Sequence, residues 1–120
     1  NLFQPKDDTV ILVEGLLDAM WLQKNGYSNA LSIISAEISK VQVQKIKTLG
    51  VSKIILCLDN DNAGIKGCER LYKLLKNDFT FKQVTLPSGK KDVQECTKEE
   101  LDLMFSNLVN YPKREFKMYE

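Results

Sequence analysis

The sequence predicts an α/β protein, with a mostly parallel sheet of about four strands flanked by helices. Two short, unbroken apolar runs, Val10-Ile11-Leu12-Val13 and Ile54-Ile55-Leu56-Cys57-Leu58, are bounded by turn residues, as strands buried on both faces are. Stretches of helical apolar spacing alternate with these and with two further candidate strands. Each run also ends in acid: Glu14-Gly15 follows the first, and Asp59-Asn60-Asp61-Asn62-Ala63-Gly64 follows the second. In open α/β sheets ligands bind beyond the carboxyl ends of the strands, so these acids can meet at one point.

The elements follow in order. The first strand covers residues 9–13, and a helix over 16–24 places Leu17, Met20, Trp21 and Lys24 on one stripe before the stop signal Asn25-Gly26. The second strand is expected over 30–34. Ser39 reads as the N-cap of a helix with Val43, Ile46 and Leu49 on its apolar face, ended by Gly50. The third strand covers 53–58. The next helix, over 63–76, carries Cys68, Leu71, Tyr72 and Leu75 at i, i+3, i+4, i+7. A fourth strand over 79–86 turns Phe79, Phe81 and Val84 inward, and Pro87-Ser88-Gly89 ends it. Thr97-Lys98-Glu99-Glu100 is a capping box ahead of Leu101, Met104, Phe105 and Leu108.

Composition narrows the chemistry. The chain of 120 residues suits one domain, assigned to 1–109, with 110–120 a C-terminal extension or the start of a linker. A start without Met and an end without a polar tail read as a segment of a longer chain. No apolar stretch approaches the roughly 20 residues of a membrane helix, and the start has no signal-peptide pattern. A cytoplasmic protein without a membrane partner is expected. The three cysteines, Cys57, Cys68 and Cys96, form no CxxC pair; Cys57 and Cys68 read as small buried hydrophobes in a reducing compartment. Histidine is absent, which removes Ser-His-Asp and Cys-His triads and HExxH zinc sites. A net charge of +1 is not that of a strongly basic nucleic-acid wrap.

The acids remain as the candidate chemistry. Hard oxygen ligands without nitrogen or sulfur suit Mg²⁺ or Mn²⁺. Asp59 and Asp61 stand two apart, so in extended chain both side chains reach one cation or two neighbouring ones. Taken alone, this DxD is also a hydrophilic turn with Asp59 or Asn62 capping the next helix. Gly64 permits a tight entry into that helix, and Gly15 a sharp strand-to-helix turn. Glu14, at a sheet edge, needs a metal or a lysine to relieve its burial. Asp18, four residues on, either reaches the metal or complements the helix dipole. Lys90 and Lys91 follow the fourth strand; a Walker A loop is excluded because Val84 and Lys91 stand where it needs Gly and Ser or Thr. Either lysine can meet a phosphate as a point charge, or belong to a solvated turn.

Val13-Glu14-Gly15-Leu16-Leu17-Asp18-Ala19 resembles the conserved-glutamate motif of Toprim domains, and Asp59-Asn60-Asp61-Asn62-Ala63-Gly64 resembles their DxDxAG motif. The resemblance covers about residues 9 to 95 and implies a compact Rossmann-like Toprim fold. It is most similar to the Toprim domain of bacterial DnaG-type or phage and plasmid DNA primases. It implies that Glu14, Asp59 and Asp61 hold Mg²⁺ or Mn²⁺, that Asp18 lines the same site as a further catalytic acid, and that Asp92 is an additional one. Two segments depart from primases: Ser35-Ala36-Glu37 replaces a small-residue segment with Gly-Thr, and Val93-Gln94-Glu95 stands where Pro-x-Asp is usual. The function so implied is Mg²⁺-dependent nucleotidyl transfer in RNA primer synthesis, with DNA template, RNA primer, nucleoside triphosphates and a helicase as candidate partners. A fragment of this kind has little activity alone. The same fold also serves OLD-type nucleases, topoisomerases and RecR-like modules that contact DNA and protein without catalysis.

Overall fold

The computed structural model describes residues 6–33 and 40–112. In chain order these form β1 (Thr9–Val13), α1 (Leu16–Lys24), β2 (Ala30–Ser32), α2 (Lys40–Lys47), β3 (Lys53–Leu56), α3 (Asn62–Leu75), β4 (Thr80–Gln83), a 3₁₀ turn (Val93–Glu95), α4 (Lys98–Ser106) and β5 (Val109–Asn110). The sheet order is β2-β1-β3-β4-β5. β1 pairs in parallel with β2 and β3, and β3 with β4, whereas β5 lies antiparallel on β4. The expected parallel strands are present. β5 is an addition, and two residues are too few to show a strand period.

The strand runs are apolar throughout because both faces of the sheet are covered. Val10 and Leu12 of β1 face a layer with Ile46 of α2 and Cys68, Leu71 and Leu75 of α3. Ile11 and Val13 face the opposite layer, with Ala19 and Leu22 of α1 and Leu101 and Met104 of α4. Crossovers of one hand require this division. The chain leaves β1 toward β2, then crosses back over β1 to reach β3. That reversal puts α1 on one face and α2 and α3 on the other, and it opens a crevice at the carboxyl ends of β1 and β3.

Several expected details change. The stripe assigned to α1 is not its buried face: Leu17 is 63% and Met20 44% exposed, while Asp18 (5%), Ala19 (3%) and Leu22 (0%) are inside. The helix is turned by its acid, because aiming Asp18 into the crevice rotates Leu17 and Met20 outward. β3 and β4 end at Leu56 and Gln83, short of the expected 58 and 86. Their apolar continuations Cys57, Leu58 and Val84 stay buried, and Cys57 N–H still donates to the Leu12 carbonyl at 2.9 Å and Val84 N–H to the Leu56 carbonyl at 3.2 Å, so the ladder frays past the strand ends rather than stopping there. Ser39 and the segment 35–37 lie outside the described residues. Gly50, at φ +75°, ends α2 in the left-handed region that favours glycine. The capping box of α4 forms as read: Glu100 N–H donates to Thr97 Oγ1 at 3.2 Å, and Thr97 N–H to Glu100 Oε1 at 2.8 Å. Cys57, Cys68 and Cys96 are free and buried. No helix among the described residues is long and apolar enough to cross a membrane.

Candidate metal centre

The crevice between β1 and β3 gathers carboxylates from three parts of the chain. Asp18 comes from the first turn of α1, Asp59 from the segment after β3, and Asp92 from the loop after β4. One oxygen of each lies within 4.8 Å of the others. Carboxylate oxygens this close repel one another unless a cation or a proton stands among them. The donor set is all oxygen, which fits a hard divalent cation.

Each acid is held by its own local structure. Asp18 is buried, with Oδ2 accepting from Gly15 N–H at 3.2 Å and Oδ1 from the Gln94 side-chain amide at 2.8 Å. Asp92 precedes the 3₁₀ turn, and its Oδ1 accepts from Gln94 N–H at 3.0 Å. Asn60 N–H donates to the Lys91 carbonyl at 2.9 Å, tying the loop after β3 to the loop after β4. Gly64 allows α3 to begin directly against Asp59: a Cβ there would sit 1.9 Å from the Asp59 carbonyl oxygen. Gly15 has no such role. Its φ of −115° and ψ of 160° are ordinary extended backbone, open to any residue, so the turn it makes is not one that only glycine permits.

The remaining predicted residues lie around this trio. Glu14 Oε1 accepts from the Asp59 backbone N–H at 3.3 Å, which brings it beside Asp59 but outside the closest group. Asp61 is the N-cap of α3, its Oδ1 accepting from Gly64 N–H at 2.8 Å. The capping role read for Asp59 or Asn62 therefore belongs to Asp61, through Oδ1. Lys91 Nζ is 4.0 Å from Asp61 Oδ2, at the rim of the site. Lys90 Nζ turns away, 4.0 Å from Glu100 on α4. Gln94 was visible in the sequence only as a departure from the primase pattern; nothing in its spacing pointed to Asp18, 76 positions away.

Burial, reinforced by Glu14, Asp18, Asp92 and Asp61, pushes the Asp59 carboxyl up to about 7. An unfolded aspartate titrates near 3.9. Between those values the folded protein keeps a proton that the unfolded chain has released, so stability is full below about pH 4 and is lost as pH rises through about 7. We expect the metal-free protein to lose about 1–2 kcal/mol between pH 5 and pH 8 from this group, after allowance for solvent screening. Urea unfolding with a chelator checks this, and Asp59→Asn should flatten the trend. Millimolar Mg²⁺ should restore the loss at pH 8, since a cation replaces the proton.

Comparison with known proteins agrees with this architecture. A family model described as Toprim-like matches residues 11–97. The chain is 38% identical over 88 residues to the uncharacterised protein MG010 of Mycoplasma genitalium, covering 72% of this chain and 40% of that protein. It is 29% identical over 105 residues to the DNA primase of Campylobacter jejuni, covering 88% of this chain and 17% of the primase. Among solved structures, the zinc-binding and RNA polymerase domains of Aquifex aeolicus primase superpose with a TM-score of 0.71 at 25% identity, over 88% of this chain and 27% of that one. The chain thus spans two-fifths or less of the length of these relatives. With the family model covering most of the chain, and its acids meeting where the strand order reverses, the protein belongs to the Toprim-like family, in a form resembling primase catalytic cores.

Proposed function

We propose that this chain is the metal-binding catalytic Toprim domain of a DNA primase or primase-like replication protein, acting in Mg²⁺-dependent nucleotidyl transfer during RNA primer synthesis. The observation that carries the reading is the meeting of Asp18, Asp59 and Asp92 at the strand switch point. In this reading the three carboxylates hold Mg²⁺ or Mn²⁺, with Glu14 and Asp61 flanking them. The bound cation would neutralise phosphate charge during in-line displacement. Lys91 stands at the rim as a point charge for a phosphate, and Lys90 is a second basic group on the same loop. A cleft lined by Asp59, Asn60, Gly64, Ile65, Leu86 and Val109 opens beside Asp59.

The similarity to primases from several bacteria supports primer synthesis as the reaction. The test uses the whole protein that carries this chain, with a DNA template, ribonucleotides and Mg²⁺. Template-dependent incorporation that disappears in Asp59→Ala is the expected result. Cleavage of labelled single-stranded DNA with Mn²⁺, without incorporation, would replace the proposal with a nuclease of OLD type. Full function of the protein in Asp59→Ala/Asp61→Ala would overturn catalysis here and leave a RecR-like interaction module.

A further inference from the structure

Asp18 is the most enclosed of the acids, at 5% exposure, and it is oriented from both ends. Gly15 N–H holds Oδ2 and the Gln94 side chain holds Oδ1. Each carboxylate oxygen has two acceptor positions, so each keeps one free to face the crevice. Gln94 also donates its backbone N–H to Asp92 Oδ1. One residue therefore touches two of the three clustered acids, with its side chain on Asp18 and its main chain on Asp92. A second bond ties the same segments: Trp21 Nε1, one helical turn after Asp18, donates to the Cys96 carbonyl at 3.0 Å. The 3₁₀ turn is thus fastened to α1 at two points, at Asp18 itself and one turn beyond it.

The chemistry of the bridge matters as much as its geometry. A glutamine amide offers two N–H donors and carries no charge. It satisfies a buried carboxylate without neutralising it, which a lysine would do, and without adding to the negative charge, as an acid would. Gln94 itself is exposed. Its removal opens no cavity in the core, yet frees Asp18 to rotate and leaves the segment of Asp92 held by fewer bonds.

We propose that Gln94 is a positioning residue of the metal centre: it sets the spacing of Asp18 and Asp92 for a single divalent cation while holding the charge of the cluster at its present value. The inference rests on the metal-binding reading above. Groups that orient metal ligands typically change affinity by about 10–100-fold when removed.

The test is Mn²⁺ binding to this chain by calorimetry and by the electron paramagnetic resonance of the bound ion, with Tm of the metal-free protein measured alongside. Wild type, Asp59→Ala, Gln94→Leu and Gln94→Glu are compared. Wild type should bind, and Asp59→Ala should not; if wild type fails or Asp59→Ala binds equally, the metal reading itself falls. Given that result, Gln94→Leu should bind Mn²⁺ about tenfold more weakly with an unchanged metal-free Tm. Gln94→Glu, which loses the same donor but adds a charge, should lower the metal-free Tm by placing like charges together and should bind Mn²⁺ more tightly than Gln94→Leu. Gln94→Leu binding with wild-type affinity, or losing affinity only in proportion to a lost Tm, would overturn the positioning role. Binding in Gln94→Glu no tighter than in Gln94→Leu would overturn the charge argument.

Discussion

Gly64→Ala should destabilise the protein by about 3 kcal/mol or more and disorganise the acidic site at the same time. In an ordinary helix, glycine to alanine is stabilising by about 0.5–1 kcal/mol. Here the added methyl would fall 1.9 Å from the carbonyl oxygen of Asp59 and 2.9 Å from its carbonyl carbon. Both are main-chain atoms, which have no rotamer to swing aside. Either the first turn of α3 or the segment after β3 must shift, and that segment carries Asp59. Overlap with backbone outweighs the helical gain several-fold. For a domain of this size the cost lowers Tm by about 10 °C or more. Chemical denaturation of the two proteins measures it. Gly15→Ala is the control: its methyl would meet only Asp18 Oδ2, at 3.4 Å. That substitution should fall within about 0.5 kcal/mol of wild type. Equal stability of Gly64→Ala and wild type would disprove the close approach of α3 to Asp59.

Asp59→Asn should separate function from stability. Asp59 contributes one of the three clustered oxygens and feels the charge of both flanking acids, Glu14 and Asp61, so replacing it removes a formal charge where the cation would bind. We expect Mn²⁺ affinity to fall by about 100-fold or more. The metal-free protein, however, should gain about 1 kcal/mol at pH 8, because a neutral amide relieves the repulsion that raises the carboxyl. Selective NMR broadening by Mn²⁺ near Glu14, Gly15 and residues 59–64 in wild type, and its loss in Asp59→Asn, reports the first effect; urea unfolding reports the second. A variant that binds less Mn²⁺ and is also less stable without metal would contradict the charge argument. Sites that hold mutually repelling groups commonly trade stability for chemistry in this way.

How far the fold could be read from the residues depended on what each pattern reports. β1 and α1 have the bounds that Thr9 to Val13 and the Asn25-Gly26 stop predict. The capping box at Thr97 is a local device, and local signals carry their own geometry. α1 was misoriented because its apolar residues lie on several sides, and no spacing announces that an aspartate will be the buried side chain. The candidate site was legible as two acidic strand ends, and Asp59 is where that expectation and the observed cluster meet. Its division of labour was not. That Asp61 caps a helix depends on how tightly Gly64 lets α3 approach, and Gln94 reaches Asp18 only through a tertiary contact. Such pairings leave no period in a single sequence.

The strand order has a consequence for how the molecule is made. The clustered acids stand at 18, 59 and 92, and they converge only after β3 has crossed over β1 and the loop after β4 has been tied back to Asn60. A partly folded chain with β1, α1 and β2 in place holds Asp18 without its companions, and it has little to offer an ion. A divalent cation bound at this cluster would therefore act late, on the completed sheet. Interactions absent from the folding transition state leave the rate of folding untouched and slow unfolding instead. Such a cation would then serve as a kinetic lock, prolonging the life of the finished domain without steering the path that leads to it.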